Sequence, residues 1–574
     1  MSDQVVAETE SGAGAADTRK VDGVVVEFDV PARMRDGVTL RADVYRPAGE
    51  GRWPALVLRT PYSKSSITEN AWNGVSPVEA ARLGFIVVIQ DVRGRYTSEG
   101  EWEPLHHEGR DGADTITWAA GLPGSNGHVG TLGGSYCGAT QWLAALEQPP
   151  ALKAITPLLT WNEPMDGLVS RGGATELAYV TWAFAQGFDC LFRMGLQPDE
   201  LKTRVTALIE DFDRLPADGF WDLPVSDFPV LARHQVPPLF DLAAVGDRDA
   251  TDYLRLAGQY ERLQVPSLHT GGWFDIFTQA TLDSFVAMRA SGHETRLIMG
   301  PWTHTHFLDP VGERPFGVLS GREAPAHPHG DWAGEVLAFL GRHLGADDWA
   351  GDGGPPVRLF VMGRNEWRDE EEWPLARAQA QRWYLHADCR LSADTPEDAV
   401  EPSAVHYDPA NPVPFHGGAN ITPFAVAGPV DQAHIEARDD VLIFTSAVLP
   451  EDLEVTGRIR AVLHVESSAP STDWVARLCD VTPDGRSFNL CDGIVRVASG
   501  ADKLQQVEID LWSTSNVFLA GHRIRVQITN SCFPRWDRNL NTGSQSEARF
   551  LTAHQRLHHD TQHPSYIELP VVRD

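Results

Sequence analysis

The stretch from Val129 to Ala145, VGTLGGSYCGATQWLAA, constrains the chain more than any other. A short apolar run meets a cluster of glycines, one serine stands among them, and an Ala/Leu/Trp segment of helical character follows at once. Strand, sharp turn and helix are the expected order. Such a turn forces its central residue into a strained backbone, and only small neighbours, here Gly133, Gly134 and Gly138, let the chain pass close to itself. Ser135 would then stand clear of the sheet edge at a helix N-terminus, where the following backbone N–H can stabilise an oxyanion. The spacing is G-x-S-x-x-G, one residue longer than the usual elbow G-x-S-x-G. From these residues alone, a glycine-rich surface turn with an incidental serine is the competing reading.

At 574 residues the chain exceeds what one hydrophobic core supports, and one domain per ~150 residues suggests three or four units. With 48 basic against 79 acidic residues the formal net charge is −31, which argues against nucleic acid or an anionic membrane as partner. Cys137, Cys190, Cys389, Cys479, Cys491 and Cys532 are scattered without a C-x-x-C, so neither a zinc site nor a disulfide framework is expected. They read as buried thiols in a reducing compartment. Met1 to Lys20 is polar and acidic, lacks the apolar core of a signal peptide and reads as a disordered tail. No run of about 18 apolar residues predicts a membrane span, and the cytoplasm is the expected location.

Val24 to Val30, Val38 to Tyr45 and Ala55 to Arg59 read as antiparallel strands opening a sheet. The third ends in Arg59-Thr60-Pro61-Tyr62, where a phenol over the sheet edge could donate to a substrate oxygen. Phe85 to Asp91 is a continuous β-branched run suited to a parallel strand buried on both faces. A helix over about 111–120 precedes the Ser135 strand, and Leu152 to Leu158 is the next strand. This alternation implies a doubly wound parallel sheet. Between about Trp161 and Gln259 it gives way to aromatics, prolines and helical segments such as Pro198 to Phe212, read as a helical insertion forming a pocket wall. Trp161, Trp182, Phe184 and Trp221 are candidates to line that pocket.

The sheet resumes at Val265 to Thr270 and again at Arg296 to Met299, and each strand runs into a loop with a titratable residue, Asp275 and then His304. A serine hydroxyl needs a base within reach and a carboxylate to orient that base. Three strand-end loops supply Ser135, Asp275 and His304 in the order found in α/β-hydrolases. His306, two positions on, is an alternative base. His304 with His306, and His106-His107 with Glu108 and Asp111, are superficially metal-like, but neither has a second cluster of ligands. His558-His559-Asp560 reads as a solvated loop. From about Pro356 short strands, beginning with Val357 to Met362 and ending with Arg523 to Thr529, predict an all-β sandwich of jelly-roll type.

Several segments carry a resemblance: Arg59-Thr60-Pro61-Tyr62, Ile89-Gln90-Asp91-Val92-Arg93-Gly94, Gly133-Gly134-Ser135-Tyr136-Cys137-Gly138, Gly272-Trp273-Phe274-Asp275 and Gly300-Pro301-Trp302-Thr303-His304. The chain resembles, from about residue 24 to its end, the hydrolase family of bacterial cocaine-esterase-like enzymes, X-Pro dipeptidyl-peptidases, α-amino-acid ester hydrolases and glutaryl acylases. The resemblance implies that Ser135 is the nucleophile, His304 the general base and Asp275 its orienting partner. It also implies an oxyanion hole made by the Tyr62 hydroxyl and the Tyr136 backbone N–H, and an acyl pocket lined by Phe277. The cap is where the likeness is weakest, so no particular acyl group carries over.

The expected architecture is an α/β-hydrolase core (24–160 and 260–354) with an inserted helical cap (161–259), a C-terminal jelly roll (355–574) and a disordered tail (1–23). The expected activity is that of a serine hydrolase on a small-molecule carboxylic ester, with Phe277, Trp161 and Trp182 binding substrate and no metal or organic cofactor. Amide hydrolysis is the alternative enzymatic reading, and carbohydrate binding by the jelly roll the non-enzymatic one. Glu163, Asp166 and Asp309 could grip a substrate amine but read as exposed acids. A homodimer is compatible with the sequence.

Overall fold

A computed structural model describes residues 18–66, 73–177, 179–236, 249–346, 354–398, 400–498, 503–544 and 546–573. The expected tail therefore lies outside the described residues as far as residue 17. In chain order the first part holds β1 (Thr18–Val21), β2 (Val24–Arg33), β3 (Thr39–Pro47), β4 (Trp53–Thr60), α1 (Pro77–Arg82), β5 (Ile86–Asp91), α2 (Glu108–Ala120), β6 (Ser125–Gly134), α3 (Tyr136–Leu146) and β7 (Leu152–Leu158). A ribbon, β8 (Ser170–Arg171) and β9 (Ala174–Thr175), follows, then α4 (Tyr179–Arg193), α5 (Pro198–Asp213) and α6 (Pro229–His234). The alternation resumes with β10 (Ser267–Phe274), α7 (Thr278–Ala290), β11 (Thr295–Thr303), α8 (Trp332–Leu344), β12 (Val357–Val361) and β13 (Glu366–Glu370).

Apart from the ribbon, these strands make an 11-stranded sheet in the order β1-β2-β3-β5-β4-β6-β7-β10-β11-β12-β13. From β5 through β12 neighbours run parallel, and the two edges are antiparallel. Every residue of β5, β10 and β11 is buried, as strands covered by helices on both faces must be. Because β6, β10 and β11 are parallel, Gly134, Phe274 and Thr303 all end at one edge of the sheet. That edge is where such sheets carry their sites.

Three boundaries differ from the sequence expectation. β4 does not continue the antiparallel run but lies between β5 and β6, parallel to both. Its residues from Pro54 to Thr60 are buried on both faces, a condition only an interior strand meets. Thr18–Val21 is a strand rather than tail, because Asp22 (φ 46°) and Gly23 (φ 81°) both adopt the left-handed backbone of a two-residue hairpin turn. Val357–Val361 belongs to the first sheet, parallel to β11, with β13 returning beside it. The sheet therefore reaches Glu370, past the expected boundary at 354; an apolar run does not reveal which sheet it will join.

From Ala378 the elements are strands: β14 (Ala378–Leu385), β15 (Leu391–Ser392), β16 (Ser403–Tyr407), β17 (Leu442–Thr445), β18 (Leu453–Ser467), β19 (Ser471–Val481), β20 (Ser487–Ala498), β21 (Gln505–Phe518), β22 (Arg523–Thr529), β23 (Ala553–His558) and β24 (Tyr566–Val572). A four-residue helix, Ala433–Glu436, interrupts them. They form antiparallel sheets of seven and four strands around a shared core that includes Trp474, Ile459, Leu478 and Ile509. This region docks on the chain between β7 and α4. The Leu177 N–H donates to the Arg535 carbonyl (2.9 Å), Thr175 N–H to Asp537 Oδ1 (2.6 Å) and Trp536 Nε1 to Glu176 Oε1 (2.7 Å). The cysteines are free thiols, and Cys389 is exposed rather than buried. No helix among the described residues is long and apolar enough to cross a membrane.

His269, within β10, is 1% exposed, its Nε2 is 2.9 Å from Ser267 Oγ, and burial pushes its imidazole down to about 3. Below the ordinary value near 6.5 the unfolded chain takes up a proton that the folded chain refuses, so stability falls as pH drops from 6.5 towards 3. Between pH 6.5 and 5 this group alone removes roughly 2 kcal/mol. A His269→Gln chain should lose that part of the pH dependence in chemical denaturation at pH 7 and pH 5; equal slopes for both chains would overturn the assignment.

Candidate active site

β6 ends at Gly134, α3 begins at Tyr136, and Ser135 between them has φ 53° and ψ −121°. A residue with a Cβ pays on the order of 1–2 kcal/mol for such a backbone. Locally the cost is offset by the Ser135 N–H, which donates to the carbonyls of Leu158 (2.9 Å) and Leu159 (3.2 Å). Gly133 has φ +127°, and a Cβ there would sit 2.7 Å from the Cys137 Cβ. At Gly138 a Cβ would lie 2.7 Å from the Thr160 Cβ. The third glycine therefore comes one residue late because that is where α3 crosses the chain leaving β7.

Asp275 follows β10 and His304 follows β11. His304 Nδ1 is 2.6 Å from Asp275 Oδ1, and His304 Nε2 is 3.1 Å from Ser135 Oγ. Asp275 is fully buried, and its Oδ2 accepts the Phe277 N–H (3.0 Å). A carboxylate held from both sides fixes the imidazole with Nε2 towards the serine. Phe277 meets the His304 ring edge-on, with centroids 5.5 Å apart. His306 is turned away and exposed, its Nε2 3.0 Å from the Pro310 carbonyl.

Tyr62 follows β4, and its hydroxyl accepts the Trp182 Nε1–H from α4 (2.8 Å). Arg95 fixes these two elements relative to each other. Its buried guanidinium donates to the Pro61 carbonyl (2.9 Å) and to the carbonyl and side chain of Gln186 (3.2 and 3.0 Å), and it lies over the Trp102 ring at 4.3 Å. The Tyr136 side chain points away from the serine. Its hydroxyl donates to Glu108 Oε1 (2.8 Å) and accepts the Leu105 N–H (2.9 Å). Burial, then the Glu108 charge, raise it well above the ordinary phenol value, so it remains a donor. Glu108 in turn pairs with buried Arg59 (2.5 Å). The Tyr136 backbone N–H is the first of α3, and a first-turn N–H has no acceptor inside its own helix.

Ser135, His304 and Tyr62 open onto a cavity of about 380 Å³. Trp161, Trp182 and Phe277 line it, as expected from sequence. Phe184 does not; it is buried in the core of the helices. Trp221 packs on Phe533 instead (4.6 Å). Sequence reasoning missed Leu168, Phe212 and Ile276, and also Asn420, Ile421 and Pro423, which reach the cavity from the all-β region. Ile276 stands between two residues already singled out and was within reach; a loop of a distant region carries no such signal.

The other candidates are occupied elsewhere. His106 stacks on Tyr253 at 4.0 Å, His107 Nε2 is 2.8 Å from Glu103, and Asp111 pairs with Arg93 (2.7 Å). Glu163 accepts from Arg255 (3.0 Å), Asp166 from Trp512 Nε1 (3.0 Å), and Asp309 from the Phe316 N–H (2.6 Å). All three acids are part-buried and committed to structure rather than exposed.

The chain matches the X-Pro dipeptidyl-peptidase (S15 family) over residues 36–306 and the X-Pro dipeptidyl-peptidase C-terminal non-catalytic domain over residues 349–568. It is 36% identical to the cocaine esterase of Rhodococcus sp. (strain MB1 Bresler), over 96% of this chain and all of that one. Among solved structures it is similar to an aminopeptidase from a marine-sediment Thaumarchaeota archaeon, with 25% identity, a TM-score of 0.76 and coverage of 100% and 99%. An α-amino acid ester hydrolase superposes with a TM-score of 0.77 at 23% identity, covering 96% and 97%. An α/β-hydrolase-like core with a β-rich C-terminal region is the fold these proteins share with it. The chain is an enzyme of the serine hydrolase class and belongs to the X-Pro dipeptidyl-peptidase (S15) family.

Proposed function

We propose that the protein hydrolyses a carboxylic ester through an acyl-enzyme formed on Ser135. The observation that carries this reading is the run of hydrogen-bond distances from Ser135 Oγ through His304 to buried Asp275 at the mouth of an apolar cavity. His304 Nε2 takes the Ser135 proton as Oγ attacks the ester carbonyl, and Asp275 steadies the imidazolium that forms. The Tyr62 hydroxyl and the Tyr136 backbone N–H donate to the oxyanion. On collapse, His304 gives its proton to the departing alkoxide, leaving an acyl group on Ser135. Water, deprotonated by His304, then adds to the acyl carbonyl and releases the acid with Ser135 restored.

The Trp182–Tyr62 bond supports the role given to Tyr62. A hydroxyl oxygen that accepts one hydrogen bond becomes a better donor of its own proton. Trp161, Trp182 and Phe277 then form apolar walls for the substrate. The chain from 161 to 259 acts as a helical cap, and the all-β region is of jelly-roll type. The hydrolase core comprises 24–160 and 260–354, with β12 and β13 completing its sheet. An ester is favoured over an amide because the relative at 36% identity is an esterase, whereas the aminopeptidase stands at 25%.

Ser135→Ala should abolish turnover and labelling by a fluorophosphonate, and labelling that persists would move the nucleophile elsewhere. Tyr62→Phe should lower kcat by on the order of 10² to 10³ if its hydroxyl serves the oxyanion; unchanged kcat removes that role. Trp182→Phe keeps a ring but loses the N–H, and the loss of one neutral hydrogen bond predicts a fall in kcat of roughly 2- to 10-fold. Paired kcat/KM values for aryl esters and an aminoacyl-proline anilide test the bond cleaved, and a preference for the anilide would overturn the ester reading.

A further inference from the structure

Away from the cavity, β18 and β23 pair so that His464 lies opposite His558 and Glu466 opposite Arg556. Residues opposite one another, and residues two apart on one strand, face the same side of a sheet. His464, Glu466 and His558 therefore share a face. The turn from His559 to Ser565 folds back over it. Fully buried Ser565 pins that turn to both strands, donating from Oγ to the His558 carbonyl (2.6 Å) and accepting the His464 N–H (2.9 Å). Strand alternation sends His559 to the other side, where its Nε2 is 3.2 Å from the Glu401 carbonyl.

We propose that His558, Asp560 and His563, with Glu466 as a fourth donor, bind a first-row divalent cation of the zinc type. One ligand-capable atom from each of His558, Asp560 and His563 lies within 4.8 Å of the other two. His558 Nε2 is 3.3 Å from Glu466 Oε1, and His563 Nδ1 is 3.2 Å from Asp560 Oδ1. Tetrahedral bonds of about 2.0–2.2 Å place donors roughly 3.3–3.5 Å apart. These two pairs stand close to that spacing, and the ligand atoms of His558, Asp560 and His563, within 4.8 Å of one another, have to close by on the order of an ångström to meet on one ion.

Two nitrogens and two carboxylate oxygens form the donor set that such ions favour. The carboxylates are oriented for it. Asp560 Oδ1 accepts the N–H groups of Gln562 and His563 (2.8 Å each), and Glu466 Oε2 takes Arg556 (3.3 Å), which leaves Oε1 beside His558. Supporting bonds of this kind hold metal-binding carboxylates in place. His558 Nε2 and His464 Nδ1 are buried without a hydrogen bond. A buried polar atom is normally hydrogen-bonded, and a cation between His558 Nε2 and Glu466 Oε1, 3.3 Å apart, would bond to both. The sequence alone, with Glu466 on a strand distant in the chain from His558, reads as a solvated loop.

The test uses the full chain free of any affinity tag, stripped by a chelator and dialysed against Zn²⁺ or Co²⁺. Wild type should retain one more equivalent of zinc per chain than His563→Ala or Asp560→Asn. Its Co²⁺ form should show the visible absorption of a four-coordinate site, absent from both variants. Both substitutions lie in the turn and leave the strands intact, and circular dichroism confirms that each variant is folded. Equal zinc retention in wild type and folded variants, or a Co²⁺ spectrum that neither substitution changes, would overturn the site and leave the turn with His–carboxylate hydrogen bonds only.

Discussion

The left-handed backbone at Ser135 is the constraint on which the rest of the site depends. It is unfavourable by itself, and the surrounding chain holds it in place from three directions. The carbonyls of Leu158 and Leu159 accept its N–H, Gly133 permits the approach of Cys137, and Gly138 permits the approach of Thr160. The contacts with Leu158, Leu159 and Thr160 require β7 to lie parallel and adjacent to β6. The strain at one residue is thus tied to the order of strands in the whole sheet, and the same order delivers Asp275 and His304 to the same edge.

Buried charges perform a second, different task. Arg95 links the loop after β4 to α4; Arg59 and Glu108 link β4 to α2, with Tyr136 of α3 joined through its hydroxyl. Lys64, two residues after Tyr62, is held among Asp91 (3.3 Å), Asp29 (2.8 Å) and Asp43 (3.9 Å). Removing such charges from water offsets much of their attraction, so they are weak evidence for added stability. Their effect is positional. A guanidinium with several fixed acceptors admits one arrangement of the elements it joins, and here those elements carry the Tyr62 hydroxyl and the Trp182 indole that donates to it.

The parts legible in the sequence were those in which one local pattern has one physical solution. A β-branched run such as Ile86–Asp91 suits only an interior strand, and glycines around a serine suit only a sharp turn. Where a pattern fits two partners, the sequence was silent. Ala55–Arg59 and Val357–Val361 are both apolar runs, and nothing in either specifies its neighbour. The Asp22-Gly23 turn was a readable hairpin signal inside a stretch whose polarity suggested a tail. The bond between Trp182 and Tyr62 joins residues 120 positions apart, and no local pattern encodes such a pairing.

The cavity walls explain why substrate preference is the least legible property. Phe277 and Ile276 come from the loop after β10, Trp161 and Trp182 from the chain beyond β7, and Asn420, Ile421 and Pro423 from the all-β region. The shape of the cavity is therefore set by how that region docks on the chain between β7 and α4, through Leu177, Thr175 and Glu176. Arg171 reinforces the same seam, donating to the Asp510 carbonyl (2.9 Å) with its guanidinium 3.5 Å from the Trp512 ring centroid. A substitution along this seam shifts one wall against the others while leaving Ser135, His304 and Asp275 on the sheet edge. If Ser135, His304 and Asp275 carry the proposed chemistry, the sheet edge holds it, while the docking of a second region sets one wall of the cavity.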